Sequence, residues 1–467
     1  MRVVVVAAVL VAASRAAFAQ GLTRCELNAP GGASSEIVNG REIARGGGGI
    51  RVNCPSRNLR LAADSGEIFG EERVELYGHV HYDEPTRIDL LSDRLTYFQA
   101  DERVLVRGHV IATLPSGSRL NGPEATLLRD VPRVRRIQEL TAPGGPTVTI
   151  AGRDTNEKPV VVTANTIYMR GDSLTYASRN VVIDRQDLVA TADSAFMDGR
   201  VNSETMRLMF KPSVEGREGR KFKLEGDVID AYSKDRKLQR VIARGKGHAT
   251  SKDLEIHADT LELRMANDAL ERAIAWNRQG QAKATAPGQV ITADSIDVSM
   301  PGQKVRVVYA VRNARAEADA DTVRYRTTER DWLRGDVLTA WFDSTATKDT
   351  SRTPPLDRVI TTHHADSAQA YYHMAASNTS CHEPAISYVR GREILIDFDN
   401  RKVGVVSVRD SVVGMYLEPK CLSAKDSAAA KTAKSAKPGT KTTAKPPAKP
   451  PIKKPPAARN PQPVVRQ

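Results

Sequence analysis

From about residue 60 to residue 420, apolar and polar residues alternate with period two. This is the spacing of strands whose side chains point to opposite faces, not the 3.6-residue spacing of a helix. The inward parity runs through Val162 and Ala164, Ile256 and Ala258, or Ile291 and Ala293. It then flips to Ile167 and Met169, to Leu261, Leu263 and Met265, or to Ile296, Val298 and Met300. At each flip stands Ala-(Asp or Asn)-(Ser or Thr)-apolar, as in Ala164-Asn165-Thr166, Ala192-Asp193-Ser194, Ala258-Asp259-Thr260, Ala293-Asp294-Ser295, Ala320-Asp321-Thr322 and Ala365-Asp366-Ser367. Looser copies are Ser92-Asp93, Gly226-Asp227 and Gly335-Asp336. A slip of one residue sends side chains to the other face, so the acidic position is expected at a bulge or bend, where short polar side chains bond the backbone groups a ladder leaves free.

From Ala164 to Ala320 these motifs, with Gly226 counted, are 28, 34, 32, 35 and 27 residues apart. Upstream of the bends a turn precedes a short strand, as in Gly78-His79-Val80, Gly108-His109-Val110, Arg179-Asn180-Val181, Gly247-His248-Ala249 and Gly280-Gln281-Ala282. In the two Gly-His-Val copies the glycine and valine carry the structural requirement and the histidine is incidental. The expected fold is all-β: tandem units of short antiparallel strands with bends, each too small to bury its own face, so that copies stack into a quasi-one-dimensional structure. Breaks at Pro143-Gly144-Gly145-Pro146 and at Arg352 to Pro355 divide it into an N-terminal module (20–145), a central set of repeats (146–350) and a C-terminal module (351–423).

The ends differ from this body. Arg2, the eleven-residue apolar run Val3 to Ala13, and Ala17-Phe18-Ala19 form a cleavable signal-peptide pattern over residues 1–19, too short for a spanning helix of roughly 20 residues. Export and a periplasmic location, with association at the outer membrane, are expected. In that oxidising setting Cys25, Cys54, Cys381 and Cys421 are candidates for two disulfides, with all three pairings open. The net charge of +13 suggests nucleic-acid binding until it is located. Residues 424–467 carry +10 and the signal peptide +2, leaving +1 for residues 20–423, so a phosphate-tracking groove has no basis. The tail also holds nine prolines, and its composition predicts disorder and an extended cationic arm drawn to anionic envelope surfaces.

The run "LLSDRLTYFQADERVLVRGHVIATLPSGSRLNGPEATLLRD" (90–130), with "LQRVIARGKGHATSKDLEIHADTLEL" (238–263), "VITTHHADSAQAYYH" and "GREILIDFDNRKVGVVSV" near the end, resembles the OstA-like domain of lipopolysaccharide-transport proteins. The resemblance covers most of residues 60–420 and implies a β-jelly roll whose V-shaped sheets enclose an apolar groove. It implies that lipid acyl chains are shielded there, and that modules join other OstA-like or outer-membrane assembly proteins through edge strands. Candidate groove residues on the inward parity are Val104, Val106, Val110, Ile167, Met169, Leu261, Leu263, Ile296, Val298 and Met300. Unlike two groups within that family, this chain follows the repeats with a Lys-Pro tail and no aromatic-girdled barrel, and it starts without a full-length apolar helix.

Catalytic chemistry finds little support. His363, His364, His373 and His382, with Asp366, Cys381 and Glu383, are the densest metal-like segment, but a repeat copy runs through it and no zinc motif is present; no metal or cofactor is expected. Asp193, Asp259, Asp294, Asp321 and Asp366 recur once per repeat, whereas a carboxylate pair for glycoside hydrolysis is unique in a chain. No nucleophile elbow or phosphate-binding loop occurs. The expectation is a non-enzymatic, lipopolysaccharide-binding bridge or scaffold. The alternatives are a structural or adhesive envelope scaffold with a packed core and, further off, a metal-dependent or carbohydrate-active enzyme.

Overall fold

The computed structural model describes residues 26–420, apart from 153–156, 201–202, 218–221, 252–253, 267–268, 323–324, 344–354, 365–366, 378–381 and 400–401. The signal-peptide pattern, Cys25, Cys381, Cys421, the Ala365-Asp366 copy and the tail 424–467 lie outside the described residues. The chain is all-β. Among the described residues thirty-two strands follow one another, every pairing between them is antiparallel, and the helical pieces are two single 3₁₀ turns, Pro55–Arg57 and Pro301–Gln303.

The long strands fold in the middle. Leu174–Asp184 pairs through 174–178 with Thr166–Arg170 and through 182–184 with Val160–Thr163, while Leu188–Arg200 follows it along both halves. The same division recurs in Lys237–Thr250, Glu255–Ala266 and Val307–Ala318, and Arg73–Glu84 and Ile88–Phe98 break register in the middle while keeping their partners along both halves. The result is one antiparallel meander creased along a line into two leaves. Leaf A holds such segments as 94–98, 103–107, 166–170 and 260–266; leaf B holds 88–92, 110–113, 160–163 and 255–258. Pairing passes without interruption across residues 145 and 350, through the strands flanking each.

Two kinds of corner build the crease. At the acidic corners the buried parity flips, as the alternation predicts: Leu90 and Ser92 point inward before Asp93, Leu95 and Tyr97 after it. At the other corners two consecutive residues adopt the left-handed backbone, with φ of 75° and 42° at Gly78-His79, 76° and 43° at Gly108-His109, 63° and 52° at Arg179-Asn180, and 61° and 51° at Arg312-Asn313. These insert two residues and keep the parity, so Val104 and Val106 are followed inward by Val110 and Ala112. The two kinds alternate on neighbouring strands: Tyr77 faces Arg94 and Val80 faces Ser92, so Gly78-His79 lies opposite the single residue Asp93.

Side chains complete the corners. The Asp64 and Asp93 carboxylates lie over Gly78 and Gly108, where any Cβ would collide with them, and accept hydrogen bonds from the His79 and His109 Nδ1 atoms at 2.8 Å. The histidines are therefore partners of the acidic corner, which the sequence reading of them as incidental did not foresee. Elsewhere the same contact is made by Asn180 to Asn165 and by Asn313 to Asp294. Asp193 and Asp259 also occupy corners, through the Asp193 N–H to the Phe210 carbonyl and the Asp259 N–H to Asn277. Asp321 does not. It lies in the loop between Val307–Ala318 and Asp331–Phe342, and the corner of that pass is Gly335-Asp336. Ala320-Asp321-Thr322 matches the motif in composition but has no strand on either side of it to bend.

Between the leaves runs one continuous apolar core. Leu120, Leu127, Ile167, Ile183, Leu208, Leu224 and Ile229 are fully buried in it, each stabilising the fold by about 1.5–3 kcal/mol. The hairpin turns line the open side opposite the crease as two rims, one from each leaf.

Candidate functional site

All ten inward residues singled out from the sequence are in this core. Val104, Val106, Ile167, Leu261 and Ile296 are 0% exposed, Val110 1%, Leu263 and Val298 2%, Met169 3% and Met300 6%. At these positions the interior is closed to water. Met169 differs from the other nine because it also borders a cleft of about 410 Å³ that opens beneath the rims, within the about 300–1,000 Å³ usual for ligand sites.

The floor of the cleft is apolar, made by Ile150, Val160, Met169, Ile183, Met197, Met206 and Ala231, and its mouth is polar. From the leaf A rim come Asp172, Ser173, Asp198, Glu204, Ser233 and Arg236; from the leaf B rim come Ser116, Ser118, Ala151, Gly152 and Arg185. Arg185 reaches across to the Ser233 hydroxyl at 3.1 Å and the Arg236 carbonyl at 2.9 Å, and holds Asp187 at 3.0 Å on its own side. Arg236 reaches back to the Ala151 carbonyl at 2.7 Å and to Glu157 at 3.5 Å, and holds Glu204 at 3.3 Å. Its Nη1 is buried and has no hydrogen-bond partner among the described residues. Burial raises the Asp172 carboxyl above its usual value, an effect that the Ser116 backbone N–H only partly offsets. Three methionines in one row across the strands, with Thr175 between Met169 and Met197, give the floor an adaptable, polarizable surface.

Nearer the N-terminus the rims are tied shut. Arg129, from the leaf A rim, pairs with the buried Glu84 of the leaf B rim and with Glu102 at 2.6 Å. Arg57, from the leaf B rim, bonds the Tyr97 hydroxyl at 3.1 Å and Glu102 at 3.2 Å. Burial tends to raise the Glu102 carboxyl, but the Tyr97 hydroxyl, Arg129 and Arg57 together hold it below its usual range. Burial, followed by the bond to Glu102, pushes Tyr97 up to about 12. Arg87 pairs with Asp130, and Gln138 donates to the Arg87 carbonyl at 3.2 Å, a third tie between the rims. The cleft begins where these ties end.

The histidine-rich segment does not gather. His363 lies near Asp336 at 3.3 Å, His364 donates its backbone N–H to the same residue, and the buried His373 bonds Asp331 at 2.7 Å. Asp366 and Cys381 are outside the described residues. Cys54 is buried and disulfide-bonded, and no free cysteine occurs among the described residues. A different histidine pair, His248 and His257, is brought together with Glu255 on the outer face of leaf B. The sequence reading missed it because nothing but strand register makes residues nine apart into neighbours.

Among the described residues, the free edge at the C-terminal end of the sheet is apolar. The last strands, Lys402–Arg409 and Val413–Leu417, each pair on one side only and expose Val405, Val413, Met415, Tyr416 and Leu417. No protein-family model matches the chain, and no curated protein matches it by sequence.

Proposed function

We propose that this protein is an exported, OstA-like, non-enzymatic bridge or scaffold that handles lipopolysaccharide or a related envelope lipid in the periplasm during outer-membrane biogenesis. The observation that carries the reading is the cleft, an apolar floor under a polar mouth, which is the arrangement an amphiphile requires. An acyl chain on Met169, Met197 and Met206 leaves water at about 25 cal/mol per Å² of apolar area, while the polar mouth above them suits a head group. The apolar edge at Val413–Leu417 offers backbone groups for strand addition by a partner of the same architecture. The cationic tail supplies attraction to anionic envelope surfaces.

A packed structural scaffold is the second reading, and the closure of the core at the other nine inward positions favours it. Photo-crosslinking separates the two. With a crosslinking residue at Met206, at Leu261 or at the outward Tyr176, the lipid reading expects lipopolysaccharide adducts at Met206 and none at Tyr176. Adducts at none of the three positions would overturn it in favour of the scaffold, and adducts at Leu261 as well would mean that the core opens along its length.

A further inference from the structure

His248 and His257 stand directly opposite each other on the neighbouring strands Lys237–Thr250 and Glu255–Ala266. Their rings stack at 4.1 Å with an interplanar angle of 8°. Both Nε2 atoms converge on one oxygen, Oε1 of Glu255, at 3.0 Å and 2.9 Å. The third strand in the row, Lys223–Glu225, places Glu225 opposite His248, with its carboxylate 3.4 Å from Nδ1. We propose that His248, His257 and Glu255 form a binding site for a first-row divalent transition-metal ion of the zinc, nickel or copper type, on the outer face of leaf B.

The donor set and its spacing support this. Two imidazole nitrogens and one carboxylate oxygen suit such ions and not magnesium or calcium, which take oxygen ligands. Bonds of about 2.0–2.1 Å in a tetrahedral site set donor atoms roughly 3.3 Å apart. The histidine–glutamate contacts are already near that separation, and tilting the two imidazoles out of their parallel stack turns both Nε2 atoms and the Glu255 carboxylate onto one ion. Water takes the remaining position. Glu225 on the far nitrogen of His248 is the outer carboxylate that orients a metal-binding imidazole and raises its basicity. All four side chains are on strands fixed by register, so the ligands are neighbours before the ion arrives, and the bound ion clips the two histidine strands together. None of this depends on the lipid reading.

The test is calorimetric titration of the untagged, metal-stripped full chain with zinc chloride, alongside thermal unfolding with and without zinc. The expected result is one ion per chain and a higher melting temperature with zinc. His257→Ala and Glu255→Gln should each abolish both effects while leaving the metal-free melting temperature unchanged, and Glu225→Gln should weaken binding about 10–100-fold. His79→Ala and His364→Ala should bind as the parent does. Absence of binding by the parent chain overturns the proposal, and so does undiminished binding by His257→Ala.

Discussion

Between residues 57 and 236 the two rims are tied by buried or half-buried charge: Arg57 and Arg129 to Glu84 and Glu102, Arg87 to Asp130, Arg185 and Arg236 to Ser233, Glu157 and Ala151. From 237 onward the rims carry Leu254, Leu270, Val305 and Leu356, partly covered, with Met265, Met300 and Phe342 beneath, and no ion pair between described residues spans them. The corners and core are alike in the two regions. What differs is the seal, and the two seals fail differently. A charged tie is directional, and breaking it strands a charge in a poor solvent. An apolar seam parts and closes again with a penalty that grows only with the area wetted. The creased repeat is thus one scaffold with a fixed lip and a yielding one, and the cleft lies at the end of the fixed lip.

Removing one partner of a buried pair should give the largest effect. Arg129→Ala leaves Glu84, 2% exposed, without its cation and should cost about 3–5 kcal/mol. Leu254→Ala on the apolar rim should cost about 1 kcal/mol. Urea unfolding of both variants measures the difference, and equal losses would remove the distinction between the two seals. At the crease, which both regions share, Gly108→Ala forces a Cβ onto the Asp93 carboxylate at a φ of 76°. About 1–2 kcal/mol of backbone strain and the displaced His109 contact should both appear, the latter as a shifted His109 ring signal in NMR.

The pH dependence gives the smallest effect and the sharpest contrast. Glu102 is held below its usual value, so its stabilising contribution is present above the unfolded carboxyl pKa of about 4.3 and is lost as the pH falls through the folded value. For His79, the hydrogen bond to Asp64 and then its charge raise the folded pKa. That contribution is present below the unfolded value of about 6.5 and fades as the pH rises through the folded one. The charged lip should therefore loosen in acid, and the His79 contribution at the Gly78-His79 corner should fade on the opposite side, as the pH rises. Hydrogen exchange at pH 3.5 and pH 5.5 should show protection lost first around 84–102 and 129, and a pattern led by residues near 254 and 270 would contradict it.

The repeat, its period and its acidic corners were legible in the sequence because each rests on local chemistry: strand alternation, a parity flip, and an Asp that suits a bend. The ten inward residues were legible for the same reason. The left-handed pairs were legible at Gly78-His79, Gly108-His109 and Arg179-Asn180, which read as turns, whereas Arg312-Asn313 looks ordinary until the neighbouring strand's Asp294 is seen to hold it. The ties were not legible. Glu84, Glu102 and Arg129 stand in no motif, and only the crease, by bringing alternate hairpin turns face to face, makes them neighbours. Nor was the cleft, whose Met197 and Met206 count as core until the rims above them are placed. Ala320-Asp321-Thr322 shows the converse, a motif without the strands that give it meaning.

Each leaf stacks about twenty strands roughly 4.8 Å apart, a span on the order of 100 Å measured from strand to strand. Every repeat of some thirty residues adds two strands to each leaf, and with them about 10 Å of length. Insertion or deletion of whole repeats would therefore lengthen or shorten the molecule in fixed increments without disturbing its cross-section. The crease makes the chain a ruler, whose span is set by the number of times it turns back on itself.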